Sequence, residues 1–322
     1  MKAVCVSTPG GPEVMEFKDI PDPIMTDSQV LIDVKVSGVN FIDVYFRTGL
    51  YKTPIPMILG LEGAGIIAAF GKTVEGFKIG DRVAYTGILG SYAQRQTVAA
   101  DRLVILPPKI SFQEGATCMI QGMTAHYLTK STYPLKKGDT CLIHAAAGGV
   151  GLLLCQVGKI LGATVIGTVS TDEKAALAKE AGADHVINYS KQDFVSEVKR
   201  ITGNRGVNVV YDGVGKATFE KGLDCLMPRG MMVLFGQASG SVSPIDPVVL
   251  NQKGSIYLTR PGIMAYISTR EELEGRANDV FTWVMKGKMK LRISREFPLS
   301  QAREAHMALE GRKTTGKILL IP

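Results

Sequence analysis

Cysteine is the first thing this sequence has little of. Its 322 residues hold only Cys5, Cys118, Cys141, Cys155 and Cys225, an odd count with no Cys-x-x-Cys spacing. That excludes a disulfide framework. Cys5, Cys141 and Cys155 stand inside apolar runs, as buried free thiols of a reducing compartment do. No apolar run approaches the roughly twenty residues a membrane-spanning helix needs, and no membrane partner is expected. Met1-Lys2 leads straight into the strand-like Ala3-Val4-Cys5-Val6, so no secretory leader is expected and a soluble, cytoplasmic protein is. Long blocks of one charge are also missing. Lys and Arg outnumber Asp and Glu by 37 to 30, for a net charge of +7. The densest basic spots, Lys136-Lys137 and Lys286-Gly287-Lys288-Met289-Lys290, read as solvated helix ends or loops. A nucleic-acid partner is not expected. The surplus charge speaks to solubility and to anionic ligands rather than to fold.

Metal chemistry lacks its ligands as well. A catalytic zinc takes three protein ligands, yet Gly60-Leu61-Glu62-Gly63 has no histidine, no cysteine lies near Ser37-Gly38, and no four-cysteine lobe occurs. No metal site is expected. His126 and His306 fall on helical patterns, His144 ends a strand and His185 precedes one; all four read as structural. With no Gly-x-Ser-x-Gly, serine hydrolysis has no nucleophile elbow. Internal repeats and low-complexity segments are absent too.

Glycine, by contrast, is abundant, at 36 residues, which suits tight turns or a backbone-lined phosphate site. Hydrophobic and charged shares of 45% and 21% are those of an ordinary globular chain, and the length suits two domains. Over 1–122, short β-rich runs at 30–36, 63–70, 82–85 and 92–98 are cut by turn signals such as Pro9-Gly10-Gly11-Pro12 and Gly71-Lys72. That is the pattern of a small β-barrel-like domain. Over 123–263 the rhythm becomes strand, helix, strand. Strands are expected at 140–144, 164–168, 186–187, 207–211, 231–235 and 255–258, with helices at 149–161, 172–181 and between the later strands. The alternation predicts an α/β architecture with a doubly wound parallel sheet whose short apolar strands are buried on both faces. Helical patterns at 270–285 and 300–310 and a last strand at 317–321 are expected to return to the first domain. Residues 1–122 and 264–322 then form one domain and 123–263 the other.

The strongest chemical signal is Leu142-Ile143-His144-Ala145-Ala146-Ala147-Gly148-Gly149-Val150-Gly151, an apolar strand entering a glycine-rich turn that opens a helix. Backbone N–H groups at such a helix start hold a dinucleotide pyrophosphate, and glycine is needed where a Cβ would keep backbone from phosphate. The cluster departs from Gly-x-Gly-x-x-Gly in that alanine replaces the first glycine. A mere tight turn is the rival reading; the flanking strand and helix, and the βαβ units that follow, oppose it. NAD-binding folds place an acid about twenty residues on, at the end of the second strand, for the ribose 2′-hydroxyl. Here that strand ends Ile166-Gly167-Thr168-Val169-Ser170, and Lys174 lies one helical turn beyond. Small residues and a cation suit the 2′-phosphate of NADP, while Asp172 and Glu173 at the helix start read as cap and dipole partner. Lys174 can equally be a solvated helix residue, and Tyr189 either an adenine-stacking ring or a half-buried core tyrosine. A third cluster, Gly38-Val39-Asn40-Phe41-Ile42-Asp43-Val44-Tyr45-Phe46-Arg47-Thr48-Gly49-Leu50-Tyr51, gathers polar side chains at a turn. Asn40 and Asp43 read as well as helix caps, and Tyr45 and Tyr51 as packing residues.

Gly138-Asp139-Thr140-Cys141-Leu142, then Ala146-Ala147-Gly148-Gly149-Val150-Gly151, then Gln156 and Lys159, resembles the quinone oxidoreductase/zeta-crystallin signature at each of its fixed positions. Gly80-Asp81-Arg82-Val83 and Gly60-Leu61-Glu62-Gly63-Ala64-Gly65 resemble first-domain motifs of the medium-chain dehydrogenase/reductases. Asn251-Gln252-Lys253-Gly254-Ser255 and Thr259-Arg260-Pro261 are similar to the bacterial NADPH:quinone reductases. The similarity runs from Gly10-Gly11-Pro12-Glu13 to Gly316-Lys317. It implies a GroES-like β-rich catalytic domain, a Rossmann domain, NADPH as cofactor, a homodimer and zinc-independent chemistry. Leu61 departs from the histidine of the zinc alcohol dehydrogenases. The resemblance implies that Asn40, Tyr45 and Thr124 line the nicotinamide, and that Gly148, Gly149, Val150 and Gly151 hold the pyrophosphate. It implies that Gly167, Ser170, Lys174 and Tyr189 hold the 2′-phosphate and adenosine, and that Val214, Phe235, Gly236, Thr259, Arg260 and Lys317 flank the cofactor.

The reaction expected from this resemblance is direct hydride transfer to a quinone, with the hydride chemistry supplied by the cofactor. Without zinc the developing oxyanion needs hydrogen-bond donors. Tyr45 first and Tyr51 second are expected to donate a bond and then a proton, with Asn40 orienting the acceptor or the nicotinamide. Two other readings stay open: an enone, alkenal or enoyl-thioester reductase of the same fold, and a non-catalytic NADPH- or RNA-binding protein. The intact glycine cluster and the full polar loop at 40–51 favour catalysis.

Overall fold

The structure is a computed structural model and describes residues 1–312 and 314–322. It divides the chain into two compact units, Met1–Gly122 with Ile267–Lys286 and Leu291–Pro322, and Met123–Tyr266 with Gly287–Lys290. The sequence pattern sets the return of the tail at 264. In the structure the chain rejoins the first unit at Ile267, and Gly287–Lys290 stays with the second. The reason is a side-chain clasp: Gln156 Oε1 accepts the Lys290 N–H at 2.7 Å and its Nε2 donates to the Lys290 carbonyl at 3.0 Å.

Along the chain come β1 (Lys2–Val6), β2 (Met15–Asp19), β3 (Gln29–Val39), α1 (Phe41–Arg47), β4 (Met57–Ile58), β5 (Glu62–Phe70), β6 (Arg82–Thr86), β7 (Arg95–Ala99), β8 (Leu103–Ile105) and α2 (Phe112–Thr117). The second unit contributes α3 (Met123–Tyr127), β9 (Thr140–Ile143), α4 (Gly149–Ile160), β10 (Thr164–Val169), α5 (Asp172–Glu180), β11 (His185–Asn188), α6 (Phe194–Thr202), β12 (Val207–Asp212), α7 (Phe219–Leu223), β13 (Leu226–Leu234), α8 (Val248–Gln252) and β14 (Tyr257–Thr259). The return adds α9 (Arg270–Met285), β15 (Ile293–Pro298), α10 (Ala302–Glu310) and β16 (Lys317–Ile321).

In the first unit β3 is the hub. It runs antiparallel to β5, β7 and β16 within a sheet ordered β15-β16-β3-β5-β6-β8. Val30 and Ile32 alternate inward and are buried with Ile67, Val83, Tyr85, Val98 and Leu103. Register shifts at Leu31/Ile32 and Val34/Val36 against β5 bend the ribbon as β-bulges do. A second core joins Val4, Val6 and Tyr92 to Phe297, Leu299, Ala305, Ile318 and Leu320, so the C-terminal segment is part of this unit's interior. After α2 the backbone passes into a π-helical turn, Cys118–Gly122, a distortion often found near functional sites.

The second unit holds the doubly wound sheet expected from the sequence. Its order is β11-β10-β9-β12-β13-β14, and every pairing is parallel. Leu142, Ile166, Ile187, Val207, Val210 and Met232 of the strands are buried with Phe194, Val198, Phe219 and Leu223 of the helices. The continuous apolar strands are therefore covered by helices, as a parallel sheet requires.

Candidate active site

Because all six strands of the second unit point one way, a single rim collects the residues that follow their carboxyl ends. Gly148, Gly149, Val150 and Gly151 follow β9, Ser170 follows β10, Tyr189 follows β11, and Val214 follows β12. Phe235 and Gly236 follow β13, while Thr259 ends β14 with Arg260 next. A doubly wound sheet binds its ligand at that rim, where the strand order reverses; here the reversal lies between β9 and β12. Ala145 takes a left-handed φ of 52° and turns the chain out of β9. Gly148 is the N-cap of α4 and makes no side-chain capping bond, so the first amides of the helix lack the usual internal cap. A Cβ on Gly151 would stand 2.2 Å from the Ala145 carbonyl oxygen and 2.9 Å from the Ala146 Cα. Only glycine lets the helix start this close under the turn.

The end of the rim expected to take the 2′-phosphate is built around β10 and β11. The N-cap of α5 is Thr171, whose Oγ1 accepts the Lys174 N–H at 3.2 Å; this corrects the reading of Asp172 as the cap. Asp172 instead accepts Asn188 Nδ2 at 2.8 Å and Lys191 Nζ at 2.6 Å. The Lys191 bond, then the Asn188 bond, hold its carboxyl below the usual range. Lys174 Nζ lies 3.4 Å from Ser170 Oγ, and Ser190 Oγ donates to the Ser170 carbonyl at 2.9 Å. Tyr189 is 43% exposed, so it is not a core tyrosine. An ammonium, neighbouring hydroxyls, an exposed ring and an acid already tied to a lysine fit a 2′-phosphate better than a 2′-hydroxyl. Gly167 lies within β10, and Thr124 is buried in α3.

Asp212 is a residue the sequence reading missed. Fully buried at the end of β12, it accepts the N–H groups of Val214 at 2.7 Å and Gly215 at 3.0 Å. The Thr218 hydroxyl also donates to it, at 2.8 and 2.9 Å. It holds the turn that carries Val214. An acid closing an apolar strand just before a glycine turn was the available signal.

The polar loop of the first unit centres on Asn40, the N-cap of α1. A capping asparagine ordinarily turns its side-chain oxygen onto the free N–H groups of the helix. The Asn40 backbone carbonyl accepts the Asp43 N–H at 3.1 Å, and the Asn40 side chain also reaches two partners outside the helix. Its Nδ2 donates to Glu62 Oε1 at 2.7 Å, and its Oδ1 accepts Lys317 Nζ at 2.9 Å. Lys317 and Glu62 form an ion pair, both side chains wholly buried. Glu62 Oε2 accepts the Ile120 N–H at 2.6 Å, in the π-helical turn. Gly38 makes room for the pair, since a Cβ there would stand 2.1 Å from Glu62 Oε1 and 2.7 Å from Lys317 Cε. Lys317, expected beside the cofactor, is thus placed against Asn40 and Glu62. Glu62 entered the sequence reading only as the neighbour of a missing histidine.

A second buried chain starts at the same cap. Asp43 Oδ2 accepts the Asn40 N–H at 2.8 Å and the Tyr92 hydroxyl at 3.0 Å. Tyr92 lies 3.2 Å from His306 Nε2, and His306 Nδ1 lies 2.9 Å from Arg47 Nη1. Arg47 continues to Glu310 through a two-pronged pair at 2.7 and 3.0 Å. A guanidinium only donates. His306 Nδ1 must therefore accept, its Nε2–H donates to Tyr92, and Tyr92 donates to Asp43. Burial pushes Asp43 up to about 7, against the Asn40 N–H, the Lys317 charge and the Tyr92 bond. Burial, then the Arg47 charge, pushes His306 down to about 3.

Tyr45, on α1, is mostly buried and Tyr51, in the turn beyond the helix, is half-buried, with ring centroids 5.3 Å apart at 60°. The Tyr51 N–H donates to the Tyr45 carbonyl at 3.0 Å. His144 is a buried structural histidine, with Nδ1 2.9 Å from Thr168 Oγ1 and its ring edge-on to Phe194. Among the described residues no group of three or more His, Cys, Asp or Glu is placed to hold a metal ion.

These features define the class: a GroES-like domain of the alcohol dehydrogenase kind combined with a Rossmann-type nucleotide domain. The family model of the alcohol dehydrogenase GroES-like domain matches residues 26–108, and that of the zinc-binding dehydrogenases matches 149–273. The chain is 46% identical over 317 residues to quinone oxidoreductase 1 of Escherichia coli (strain K12), covering 97% of each. It is 40% identical over 328 residues to a 2-haloacrylate reductase of Burkholderia sp, covering 99% of this chain and 98% of the other. The crystal structure of Escherichia coli quinone oxidoreductase complexed with NADPH superposes with a TM-score of 0.98 at 44% identity, covering all of both chains. The chain belongs to the quinone oxidoreductase family of the medium-chain dehydrogenase/reductases.

Proposed function

We propose that this protein reduces quinones with NADPH and without zinc. The observation that carries the reading is the phosphate end of the rim. Val169 stands where an NAD-specific fold has its acid, Ser170 and Lys174 follow it, and Asp172 is held by Asn188 and Lys191. The relative crystallised with NADPH supports the cofactor, and the relatives' names support the acceptor. NADPH, when bound, supplies the hydride.

The protein's own part is to bind, orient and protonate. The amides of Gly148, Gly149, Val150 and Gly151 take the pyrophosphate at the start of α4. Gly167, Ser170, Lys174 and Tyr189 take the 2′-phosphate and adenosine. Val214, Phe235, Gly236, Thr259 and Arg260 flank the cofactor, and Thr124, Asn40 and Tyr45 line its nicotinamide end. A phenol donates a hydrogen bond to the acceptor oxygen as charge develops there, and then its proton. Tyr45 is the first such donor and Tyr51 the second, while Asn40 orients the acceptor. The first unit is then the catalytic domain and the second the nucleotide-binding domain.

A conjugated carbonyl or acid is the second reading, favoured by the 2-haloacrylate reductase at 40% identity. The deciding experiment follows nicotinamide absorbance with NADPH, and NADH in parallel, against benzoquinone, phenanthrenequinone, a short alkenal and 2-chloroacrylate. Quinone turnover with NADPH and little with NADH is the expected result. Turnover of the alkenal or the haloacid alone would move the protein to the second reading. No turnover despite NADPH binding would make it a binding protein.

The assembly proposed is a homodimer through β14, an edge strand whose Tyr257 is 58% exposed; sedimentation at micromolar concentration tests it. A reducing compartment such as the cytoplasm is proposed from five free, buried cysteines.

A further inference from the structure

A fully buried ion pair is a poor way to stabilise a fold. Desolvating two charges costs as much as their attraction returns, and a well-packed apolar pair of the same volume often does as well. Glu62 and Lys317 are both wholly buried, and the sheet even keeps Gly38 free of a side chain to seat them. The question is what the pair does.

Its third member answers. Lys317 donates to the Asn40 Oδ1, to Glu62 and, at 3.4 Å, to the Val39 carbonyl, so all three ammonium hydrogens are used. Glu62 spends one oxygen on Lys317 and Asn40 and the other on the Ile120 N–H. The Asn40 amide has one oxygen and one nitrogen, nearly alike in shape but opposite in polarity. With the oxygen on the ammonium and the nitrogen on the carboxylate, both contacts attract. Flipped, N–H would face ammonium and oxygen would face carboxylate, and both would repel. Among the described residues, the second Nδ2–H of Asn40 meets no protein acceptor.

We infer that Glu62 and Lys317 are positioning residues: together they lock the Asn40 amide in one orientation, so that it presents an N–H donor to the reacting end of the acceptor or nicotinamide. This rests on the reading of Asn40 as a site residue. The pair acts through Asn40.

The test is a cycle between Asn40→Ala and the paired variant Glu62→Gln/Lys317→Met, which removes both charges at similar volume. In the wild-type background the paired variant lowers kcat for a quinone by about tenfold or more, with little change in the KM for NADPH. In the Asn40→Ala background the same change costs less than about twofold. An equal loss in both backgrounds would mean that the pair only supports the fold, and would overturn the inference. A second readout needs no activity: the side-chain amide of Asn40 in the nitrogen-15 spectrum of the wild-type protein. One of its two protons is expected well downfield, bonded to a buried carboxylate, without exchange with its partner. Two protons at ordinary amide positions, or in exchange, would refute the lock even if the paired variant fails to fold. A protein that reduces no quinone or conjugated carbonyl would sink the catalytic reading, while the amide spectrum would still decide whether Asn40 is locked.

Discussion

Arg47 donates from Nη1 to Nδ1 of His306 at 2.9 Å across 259 residues of sequence. Because arginine can only donate, this one contact sets the histidine tautomer and keeps the ring neutral. It thereby orients every bond in the buried chain down to the Asn40 N–H.

Stability should carry the mark of that histidine. Burial, and then the Arg47 charge, hold His306 at about 3 in the folded protein, below its ordinary 6.5. A base depressed in this way contributes stability that is present above about 6.5 and lost as the pH falls toward 3. Asp43, raised to about 7, works in the opposite direction, so the whole-protein profile is not the readout. The difference between wild type and His306→Gln is. Urea unfolding should show the wild-type advantage shrinking by about 2–3 kcal/mol between pH 7 and pH 4.5, two units of about 1.4 kcal/mol each. A constant difference would remove His306 from the account.

The two glycines at the start of α4 should fail differently. A Cβ on Gly151 meets the Ala145 carbonyl oxygen at 2.2 Å, whereas on Gly148 the same oxygen is 3.1 Å away. Gly151→Ala should lower both the melting temperature and NADPH affinity. Gly148→Ala should leave melting within a few degrees and weaken NADPH by about tenfold, roughly 1.4 kcal/mol, in a fluorescence titration. Unchanged NADPH binding in Gly148→Ala would show that the pyrophosphate does not approach that residue.

Cofactor choice should rest on Lys174. Removing its ammonium leaves Ser170 and the bonds of Asp172 in place. Lys174→Ala should raise the KM for NADPH by about tenfold, the scale of one charge-assisted contact, and leave that for NADH nearly unchanged. A parallel rise in both would mean that Lys174 does not read the 2′-phosphate.

The proton donor is open to the simplest test. Tyr45 and Tyr51 meet edge to face at 5.3 Å, so a phenylalanine at either position keeps the ring contact and removes the hydroxyl. One of Tyr45→Phe and Tyr51→Phe should lose at least about tenfold in kcat/KM for a quinone, roughly 1.4 kcal/mol. If neither does, protonation comes from solvent.

Much of the second unit was legible in advance because its signals are contiguous. An apolar strand, a glycine turn and a helix follow one another between Leu142 and Leu161, and the parallel order of the sheet follows from repeating that unit. Val169 standing where an acid would mark NAD was legible for the same reason. Even there, proximity in sequence misled in one detail. Asp172 opens α5, but Asn188 and Lys191, which arrive on the next strand and its turn, take its carboxylate away from the cap.

The sequence by itself determined the family, the strand and helix rhythm, and the glycine cluster with the residues that follow each strand, because period and local turn chemistry are written in neighbouring residues. Only the tertiary structure decided what Asn40 touches. Glu62 lies 22 residues from Asn40, and Lys317 lies 277 from it. They meet because β16, the last strand, pairs with the end of β3 and brings its lysine inside. A hydrogen bond acts over about 3 Å of space and leaves no period in the chain, so a buried ion pair closed by the final strand becomes visible only once the sheet is assembled.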